Sequence, residues 1–233
     1  MMGKIQLKRI AMSQLLLSLQ GIHSTPTEII KQHVPFVEDE DIPEFIHRFE
    51  KKKNKKDFGL STVEIVTLAN ICELTSLKST LIQNWIKRDI KEIIGSPELG
   101  KKYSIEQAAL LFIVKDLKAV FDFETIRFML MKVFNTLSDR SDDLMSPLRF
   151  YQLYAEALEN VGQITWAQSN EFPLESRIEK EVTRLLRREH YLNEDQIQEI
   201  AQILVITILS VVSSHFQLRT IRYAEGLQSC TIK

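Results

Sequence analysis

Apolar residues recur at intervals of three and four positions along most of this 233-residue chain, a spacing that predicts amphipathic helices. The stretch from Leu60 to Phe134 predicts two short helices, a basic loop and two longer helices. The short helices are expected over roughly Ser61–Glu73 and Ser79–Arg88. We expect Val63 to lie on the buried face of the first helix and Leu81 on the buried face of the second. The other helices of the chain are expected to support this middle stretch.

Besides the two short helices, the same periodicity predicts eight helices, among them the two longer ones of the middle stretch. They are expected over Lys4–Gln20, Thr27–His33, Glu44–Lys53, Ile105–Lys118, Phe123–Leu137, Pro147–Val161, Ser176–His190 and Glu194–Phe216. Ser104 and Gln107 have the spacing of a capping box, and Asp122 and Asn193 are expected to cap the helices that follow them. The chain has only seven glycines and six prolines, so turn signals are few and a mainly α fold is predicted.

Two segments depart from the helical pattern. In Ile90–Tyr103, the turn signals Gly95-Ser96-Pro97 and Gly100-Lys101 bracket short β-prone pieces, which predicts a small hairpin or wing. The tail from Gln217 to Lys233 is expected to contain a short strand or to be loose. The predicted strands are therefore confined to these two places.

Two polar segments divide the chain. The lysine-rich run Lys51–Lys56 is a candidate boundary, and the acidic segment Ser138–Ser146 is expected to be a linker. The sequence thus predicts an N-terminal helical segment over residues 1–56, a central domain over residues 57–137 and a C-terminal helical domain over residues 138–233.

The formal net charge is -1, but the charges are unevenly distributed. Between residues 51 and 103, eleven lysines and arginines oppose six acids, whereas between residues 138 and 200 seven oppose thirteen. A basic segment within a neutral protein is typical of a module that binds a polyanion, next to a separate partner domain. A solvated charged face is the alternative interpretation of the lysine run.

The sequence lacks the patterns that indicate an active site or a metal site. Cys72 and Cys230 give no disulfide framework and no C-x-x-C pair, and the five histidines lack the spacing of metal ligands. No serine-hydrolase, zinc-protease, phosphate-loop or dinucleotide-binding motif occurs. We therefore expect a protein that is not an enzyme and that uses no cofactor.

The segment Ile200–Phe216 is nearly unbroken in apolar and small residues. A membrane-spanning helix needs roughly 18 or more such residues, and Gln202, Ser213 and His215 shorten the run. A helix buried in the core or in a subunit interface is therefore predicted, without membrane insertion. No signal peptide is recognised near the start of the chain, so a cytoplasmic location is expected.

The order helix, turn, helix, wing, capped helix and helix resembles the MerR-type winged helix-turn-helix. The strongest local match is Lys101-Lys102-Tyr103-Ser104-x-x-Gln107 with the apolar positions that follow, and then Phe121–Ile126. Leu74–Ile90 together with Lys101–Leu130 resembles a family of uncharacterised bacterial proteins regarded as transcriptional regulators, whose Gln-Asn-Trp-x-Lys-Arg type of run is matched by Gln83–Arg88. The resemblance covers roughly a third of the chain.

The sequence also departs from this family. The turn glycine of the motif is Ser76 here, and the arginine usual in the second helix is Gln83. The predicted wing carries two adjacent lysines and no arginine. These differences put particular base contacts in doubt, although they leave the implied fold unchanged.

The resemblance and the polar face of the second helix together indicate a DNA-binding surface. The residues expected to face the major groove or the phosphates are Lys78, Ser79, Thr80, Gln83, Asn84, Lys87 and Arg88, with Lys101, Lys102 and Tyr103 on the flanking backbone. Because amide side chains can read base edges, sequence preference is assigned mainly to Gln83 and Asn84. The alternative is ordinary helix polarity, and Trp85 is expected to anchor the helix pair in the core.

Two functions remain open at the level of sequence. The first is a transcriptional regulator that binds double-stranded DNA as a homodimer on a two-fold operator. The second is a protein-interaction adaptor that uses the same winged-helix module. An unidentified small-molecule effector is a further candidate partner of the C-terminal domain, where Tyr151, Tyr154 and Trp166 are either pocket residues or aromatic core.

Overall fold

The computed structural model describes residues 5–22, 24–55, 57–135, 140–162 and 173–230. These residues contain helices and no strand, so the predicted mainly α fold is confirmed for the described part of the chain. The α-helices are α1 Arg9–Leu19, α2 Pro26–His33, α3 Glu44–Lys51, α4 Thr62–Asn70, α5 Ser79–Asn84, α6 Lys91–Ile94, α7 Ile105–Leu117, α8 Phe123–Phe134, α9 Pro147–Gly162, α10 Leu174–Leu186 and α11 Glu194–Cys230. A π-helical turn, Trp85–Asp89, continues α5, and short 3-10 turns lie at Asp39–Asp41 and Arg140–Asp142.

The predicted helix caps are confirmed. The Ser104 hydroxyl accepts from the backbone N–H of Gln107, and the Gln107 side chain accepts from that of Ser104, which starts α7. The Asp122 carboxylate accepts from the N–H of Thr125 at 2.8 Å and starts α8. Asn193 and Gln196 bond each other's backbone N–H at the start of α11. These side chains satisfy N–H groups that the first helical turn leaves without a partner.

The predicted wing over Ile90–Tyr103 is wrong, because no β-strand forms in this described segment and the backbone pairing within it is limited to an isolated antiparallel bridge between Leu99 and Lys102. It folds instead as α6 followed by turns in which Gly95 and Gly100 have positive φ angles of 75° and 70°. The buried Gln107 amide donates to the carbonyls of Ile94 and Ser96, both at 2.8 Å, and its oxygen accepts from the N–H of Glu98. The Gln107 side chain thereby satisfies backbone groups of Ile94, Ser96 and Glu98 that no strand pairing satisfies.

The hydrophobic core crosses both predicted domain boundaries. One continuous cluster of buried side chains runs from Ile5 in the N-terminal segment to Val212 in α11. α7 lies at its centre and packs against α1, α6, α9 and α11, while α9 also packs against α1 and α10. The three segments predicted from composition therefore share one core.

The apolar segment Ile200–Phe216 belongs to this core. Ile200, Leu204 and Ile208 are buried where α11 packs against α7, α8, α9 and α10, which confirms the prediction of a buried helix. By length and composition, Glu194–Gly226 could cross a membrane, yet 56% of its apolar window is buried inside the protein. Core helices of soluble proteins pass the same test.

The last helix is longer than its apolar pattern predicts. It continues to Cys230, so the expectation of a strand or loose segment is wrong up to that residue, and residues 231–233 lie outside the described part. The segment after Phe216 contains no proline and mostly residues that tolerate a helix. Hydroxyls along the helix, such as those of Thr207 and Ser210, donate to the carbonyl four residues earlier, which satisfies these polar groups inside the core.

Candidate functional site

In the turn between α4 and α5, the side chain of Asn70 bonds both backbone groups of Leu77. The Asn70 amide donates to the carbonyl of Leu77 at 3.0 Å, and its oxygen accepts from the N–H of Leu77 at 2.7 Å. Within the turn, Leu74 has a φ of 57°, in the left-handed region that non-glycine residues seldom adopt. The backbone of Leu7 also pairs with Ile71 and Glu73 on the α4 side of the turn, so side-chain and backbone hydrogen bonds together hold it.

The second helix of this pair is anchored at intervals of four residues. Ile82, Ile86 and Ile90 are buried, and the indole of Trp85 packs edge-to-face on Phe123 of α8, with ring centroids 5.5 Å apart. The N–H of Ile90 donates to the carbonyl of Trp85 at 2.9 Å, the five-residue step of a π-helix. Trp85 is therefore the core anchor that was expected, and a continuous helical segment spans Ser79–Asp89.

Most of the predicted groove-facing residues do lie together on the exposed side of this segment. We define its polar face as the exposed side chains of Lys78, Thr80, Gln83, Asn84, Lys87 and Arg88. Ser79 is half-buried beside them. Among the described residues, none of the six forms a side-chain hydrogen bond or ion pair. Three cations and two amides thus remain available to a partner on one side of a short helix.

Two apolar residues of the helix pair are exposed, contrary to prediction. Leu81 is 40% exposed and borders the polar face, and Val63 on α4 is 57% exposed. Ile82 and Ile86 fill the inward positions of the second helix, so its buried stripe is narrower than the apolar pattern suggested. The face contains an apolar side chain next to its amides and cations.

The three predicted loop residues are in different environments. Lys101 is exposed, whereas Lys102 lies with its Nζ atom 3.6 Å from Glu64, which also binds Arg48. Tyr103 is only 7% exposed, and its backbone pairs with that of Leu60 through N–O distances of 2.8 and 2.9 Å. The Tyr103 side chain is therefore mostly buried, and its contact with a DNA backbone stays a prediction.

A buried polar cluster was missed by the sequence analysis. The guanidinium of Arg9 on α1 donates to both carboxylate oxygens of Asp116 on α7, at 2.8 and 3.1 Å. The Tyr154 hydroxyl on α9 donates to the same carboxylate at 2.7 Å, and the Lys115 ammonium donates to it at 2.9 Å. Arg9 is 2% exposed and Asp116 4%. No pattern along the chain connects residues that are 107 positions apart, so only the fold reveals the pair.

The electrostatics of this cluster favour the ionised carboxylate. Burial alone would raise the pKa of Asp116, but the charges of Arg9 and Lys115, together with hydrogen bonds from Arg9 and Tyr154, hold that pKa well below its ordinary value. Burial raises the pKa of Tyr154, and the neighbouring Asp116 charge raises it further. The cluster is therefore an ion pair with a neutral tyrosine at neutral pH.

The cluster extends to the helix pair and to a cavity. The Lys115 ammonium donates to the Thr75 hydroxyl at 3.0 Å, and Nη1 of Arg9 lies 3.7 Å from Glu73, both in the turn before α5. Beside Arg9, a cavity of about 360 Å³ opens between α1, α9 and α11. Tyr151 and Tyr154 are core residues with ring centroids 4.8 Å apart, and Trp166 lies outside the described residues.

In the part of the chain that the structure describes, no group of three or more histidine, cysteine, aspartate or glutamate side chains is arranged to hold a metal ion. Cys72 is a free cysteine buried in the core, as its place on an apolar face predicted. The described chemistry is therefore that of the polar face, the buried ion pair and the cavity.

Similarity to known proteins extends over most of the chain. Residues 37–155 match a family described as a domain of unknown function, DUF1836. A protein of Bacillus subtilis (strain 168), described as uncharacterized protein YkrK, is 50% identical over 223 residues, which cover 93% of this chain and 95% of that protein. No solved structure matches the chain. The family match includes α4, the turn, the polar face and Asp116, and the chain belongs to the DUF1836 family.

Proposed function

We propose that this protein is a sequence-specific DNA-binding regulator that inserts the polar face of Ser79–Asp89 into a major groove. The observation that carries the proposal is the combination of two amides and three cations on one exposed helix face, without partners among the described residues. Asparagine and glutamine can bond an adenine edge through two hydrogen bonds, and lysine and arginine neutralise phosphates. The face thus combines the chemistry of base recognition with that of backbone binding.

The rigidity of the helix pair supports this proposal. A recognition helix must hold its side chains in register with base edges, and a flexible segment cannot do so. Here the two Asn70 hydrogen bonds fix the turn, and Trp85 and the buried isoleucines fix the rotation of the second helix. In this proposal, α4 and α5 form a helix-turn-helix, and the helix and turns after Ile90 take the place of a β-wing. Lys101 in that segment would contact a phosphate.

The proposal includes a homodimer on a two-fold operator. Phe216, Ile221 and Tyr223 are exposed on the second half of α11, beyond the part of the helix that is buried in the core. Phe216 and Tyr223 are seven positions apart and therefore lie on one side of the helix, where we propose that two copies meet. Two copies joined there would present two helix pairs to half-sites separated by about one turn of DNA or a multiple of it.

A test begins with selection of binding sites from a random-sequence duplex library by the purified full chain. The selected duplex and an unrelated duplex of equal length are then titrated at two salt concentrations. We expect selective binding that weakens steeply with salt, because bound phosphates release counterions. Equal, weak binding to both duplexes would refute the proposal.

Substitutions then test the assigned face. Gln83→Ala and Asn84→Ala should each cost about 1–3 kcal/mol on the selected site and broaden its sequence preference. Lys101→Ala should weaken binding to all sequences alike. Gln198→Ala, which removes an exposed amide from α11, is the matched control and should bind normally. Normal binding by folded Gln83→Ala and Asn84→Ala proteins would show that the face is assigned wrongly.

A second candidate, the protein-interaction adaptor, is favoured by exposed apolar residues. Leu81 borders the polar face, and Phe128 and Met131 are exposed on α8. Such side chains suit a protein surface better than a phosphate backbone. An interaction of this kind would depend weakly on salt, and it would be lost on Leu81→Ser or Phe128→Ser rather than on Lys87→Ala.

A further inference from the structure

The cavity beside the buried ion pair has the size and lining of a small-molecule site. Its volume of about 360 Å³ falls within the range of roughly 300–1,000 Å³ that is usual for ligand pockets. Ala155, Leu158 and Val212 form apolar parts of the wall, and Arg9, His215 and Arg219 contribute polar groups. A few polar groups within an apolar lining are the usual composition of a pocket that orients one ligand.

Two buried polar atoms of residues that line this cavity have no hydrogen-bond partner among the described residues. They are Nη1 of Arg9 and Nε2 of His215. Arg9 binds Asp116 through its other two nitrogens, so Nη1 is left with only the 3.7 Å approach of the Glu73 carboxylate, which is too long for a hydrogen bond. A buried donor without an acceptor is costly, and an acceptor from a ligand would remove that cost.

The charges around the cavity favour one negative charge on the ligand. The cavity wall and the adjoining ion-pair cluster contain three cations, Arg9, Lys115 and Arg219, against the two carboxylates of Asp116 and Glu73. At the rim, Lys8 and Glu159 pair with each other at 3.0 Å and cancel. Burial, reinforced by the charge of Arg9, lowers the pKa of His215 to about 4, so this imidazole is neutral at pH 7 and adds no charge.

We propose that this cavity binds a small monocarboxylate with an apolar body, whose carboxylate accepts a hydrogen bond from Nη1 of Arg9 and pairs with Arg219, while its apolar part lies against Ala155, Leu158 and Val212. The site lies between α1, α9 and α11, away from the two tyrosines that the sequence suggested for an effector.

The position of the cavity connects a ligand to the helix pair. Glu73 approaches Arg9 from the turn between α4 and α5, and Lys115 bonds Thr75 in the same turn. A ligand carboxylate that accepts a hydrogen bond from Nη1 competes with Glu73 for Arg9. It therefore weakens the contact between Arg9 and the turn that contains Glu73. This regulatory part rests on the proposed DNA-binding function, whereas ligand binding itself does not.

The experiment is isothermal titration of the full chain, without DNA, with hexanoate and benzoate and with hexanol and benzyl alcohol as uncharged matches. Both acids should bind with one site per chain, and both alcohols should bind at least about five-fold more weakly. Absence of binding by both acids up to 10 mM, or equal binding by the alcohols, overturns the proposal.

Variants locate the site. Leu158→Trp should fill the cavity and abolish binding, while Leu158→Met, which preserves volume, should retain it. Arg219→Gln should weaken the acids about three- to five-fold, the size expected for one partly exposed charge pair, and Arg222→Gln on the same helix should have no effect. If Leu158→Trp keeps its helical circular dichroism and binds the acids normally, the site is elsewhere and the proposal fails.

The regulatory part is tested by repeating the DNA titration with saturating benzoate. A change of at least two-fold in DNA affinity that disappears in Leu158→Trp supports coupling through the turn, since linkage requires the two affinities to change together. Unchanged DNA affinity in a protein that binds benzoate overturns the coupling. Failure of DNA binding in every condition counts against the proposed function and leaves the calorimetric result for the cavity standing.

Discussion

The buried pair of Arg9 and Asp116 gives the most quantitative prediction. Asp116→Leu removes a carboxylate that is 4% exposed and that accepts from Arg9, Lys115 and Tyr154. The guanidinium of Arg9, which is 2% exposed, would then be a buried charge without its partner. Breaking such a pair from one side costs about 3–5 kcal/mol, a large part of the roughly 5–15 kcal/mol that stabilises a typical protein.

The double substitution distinguishes the charge from the packing. Arg9→Met should also be destabilising, because the buried carboxylate loses both guanidinium hydrogen bonds and keeps only those from Lys115 and Tyr154 among the described residues. The protein with both substitutions should be no less stable than the worse single variant, since no uncompensated charge remains at the pair. Arg184→Gln, which breaks an exposed pair with Glu181, is the control and should cost less than about 1 kcal/mol.

The assay is urea unfolding followed by circular dichroism at pH 7 and again at pH 3. Asp116 has a folded-state pKa well below that of the unfolded chain, so its contribution is present above about pH 4 and is lost as pH falls further. The deficit of Asp116→Leu should therefore be smaller at pH 3. Additive single costs in the double variant, or single costs below about 1 kcal/mol, would refute the reasoning.

Three further predictions concern the turn, the cavity and the core. Asn70→Ala should lower the free energy of unfolding by about 1–3 kcal/mol, because it removes both hydrogen bonds to Leu77. Urea titration measures the loss. A cost no larger than that of Thr80→Ala on the exposed face would contradict this prediction. His215 has its pKa lowered to about 4, so the unfolded chain takes up a proton that the folded protein resists, and stability should decline as pH falls from about 6.5 to about 4. His215→Gln should flatten that decline in thermal melts, and an unchanged slope would show that another group is responsible. Leu204→Asp should lower the free energy of unfolding by more than about 4 kcal/mol and give unfolded or insoluble protein, because Leu204 is buried within one chain. Gln202→Asp, at an exposed position, should remain folded. A soluble, stable Leu204→Asp protein would contradict the core assignment.

The sequence predicted those features that depend on neighbouring residues. Helix spans followed from apolar spacing, and the caps at Ser104, Asp122 and Asn193 followed from side chains that bond backbone three residues away. The exposed polar face also followed, because side chains three and four apart share one side of a helix. The function of that face stays a prediction, since the same amides and cations suit an ordinary solvated helix.

Local patterns failed where distant residues competed for the same groups. Turn signals predicted a wing over Ile90–Tyr103, but the buried amide of Gln107 bonds the backbone of Ile94, Ser96 and Glu98, and the segment forms one isolated bridge, Leu99–Lys102, instead of strands. The apolar pattern likewise assigned Leu81 and Val63 to buried faces, whereas Ile82, Ile86 and Trp85 take the inward positions of the second helix and Val63 is exposed on α4. Buried side chains of α1, α7, α9 and α11 also belong to one core cluster, which composition did not indicate.

The sequence by itself determined that this chain is helical, where most helices begin, and which side of the second short helix is polar, because these properties arise within a few turns of backbone. Only the tertiary structure decided that Arg9, Asp116 and Tyr154 meet, and that a cavity opens between that cluster and α11. The physical reason is that a buried charge is stable only beside its partner, and that partner lies on another helix, at a separation in sequence that no periodicity encodes.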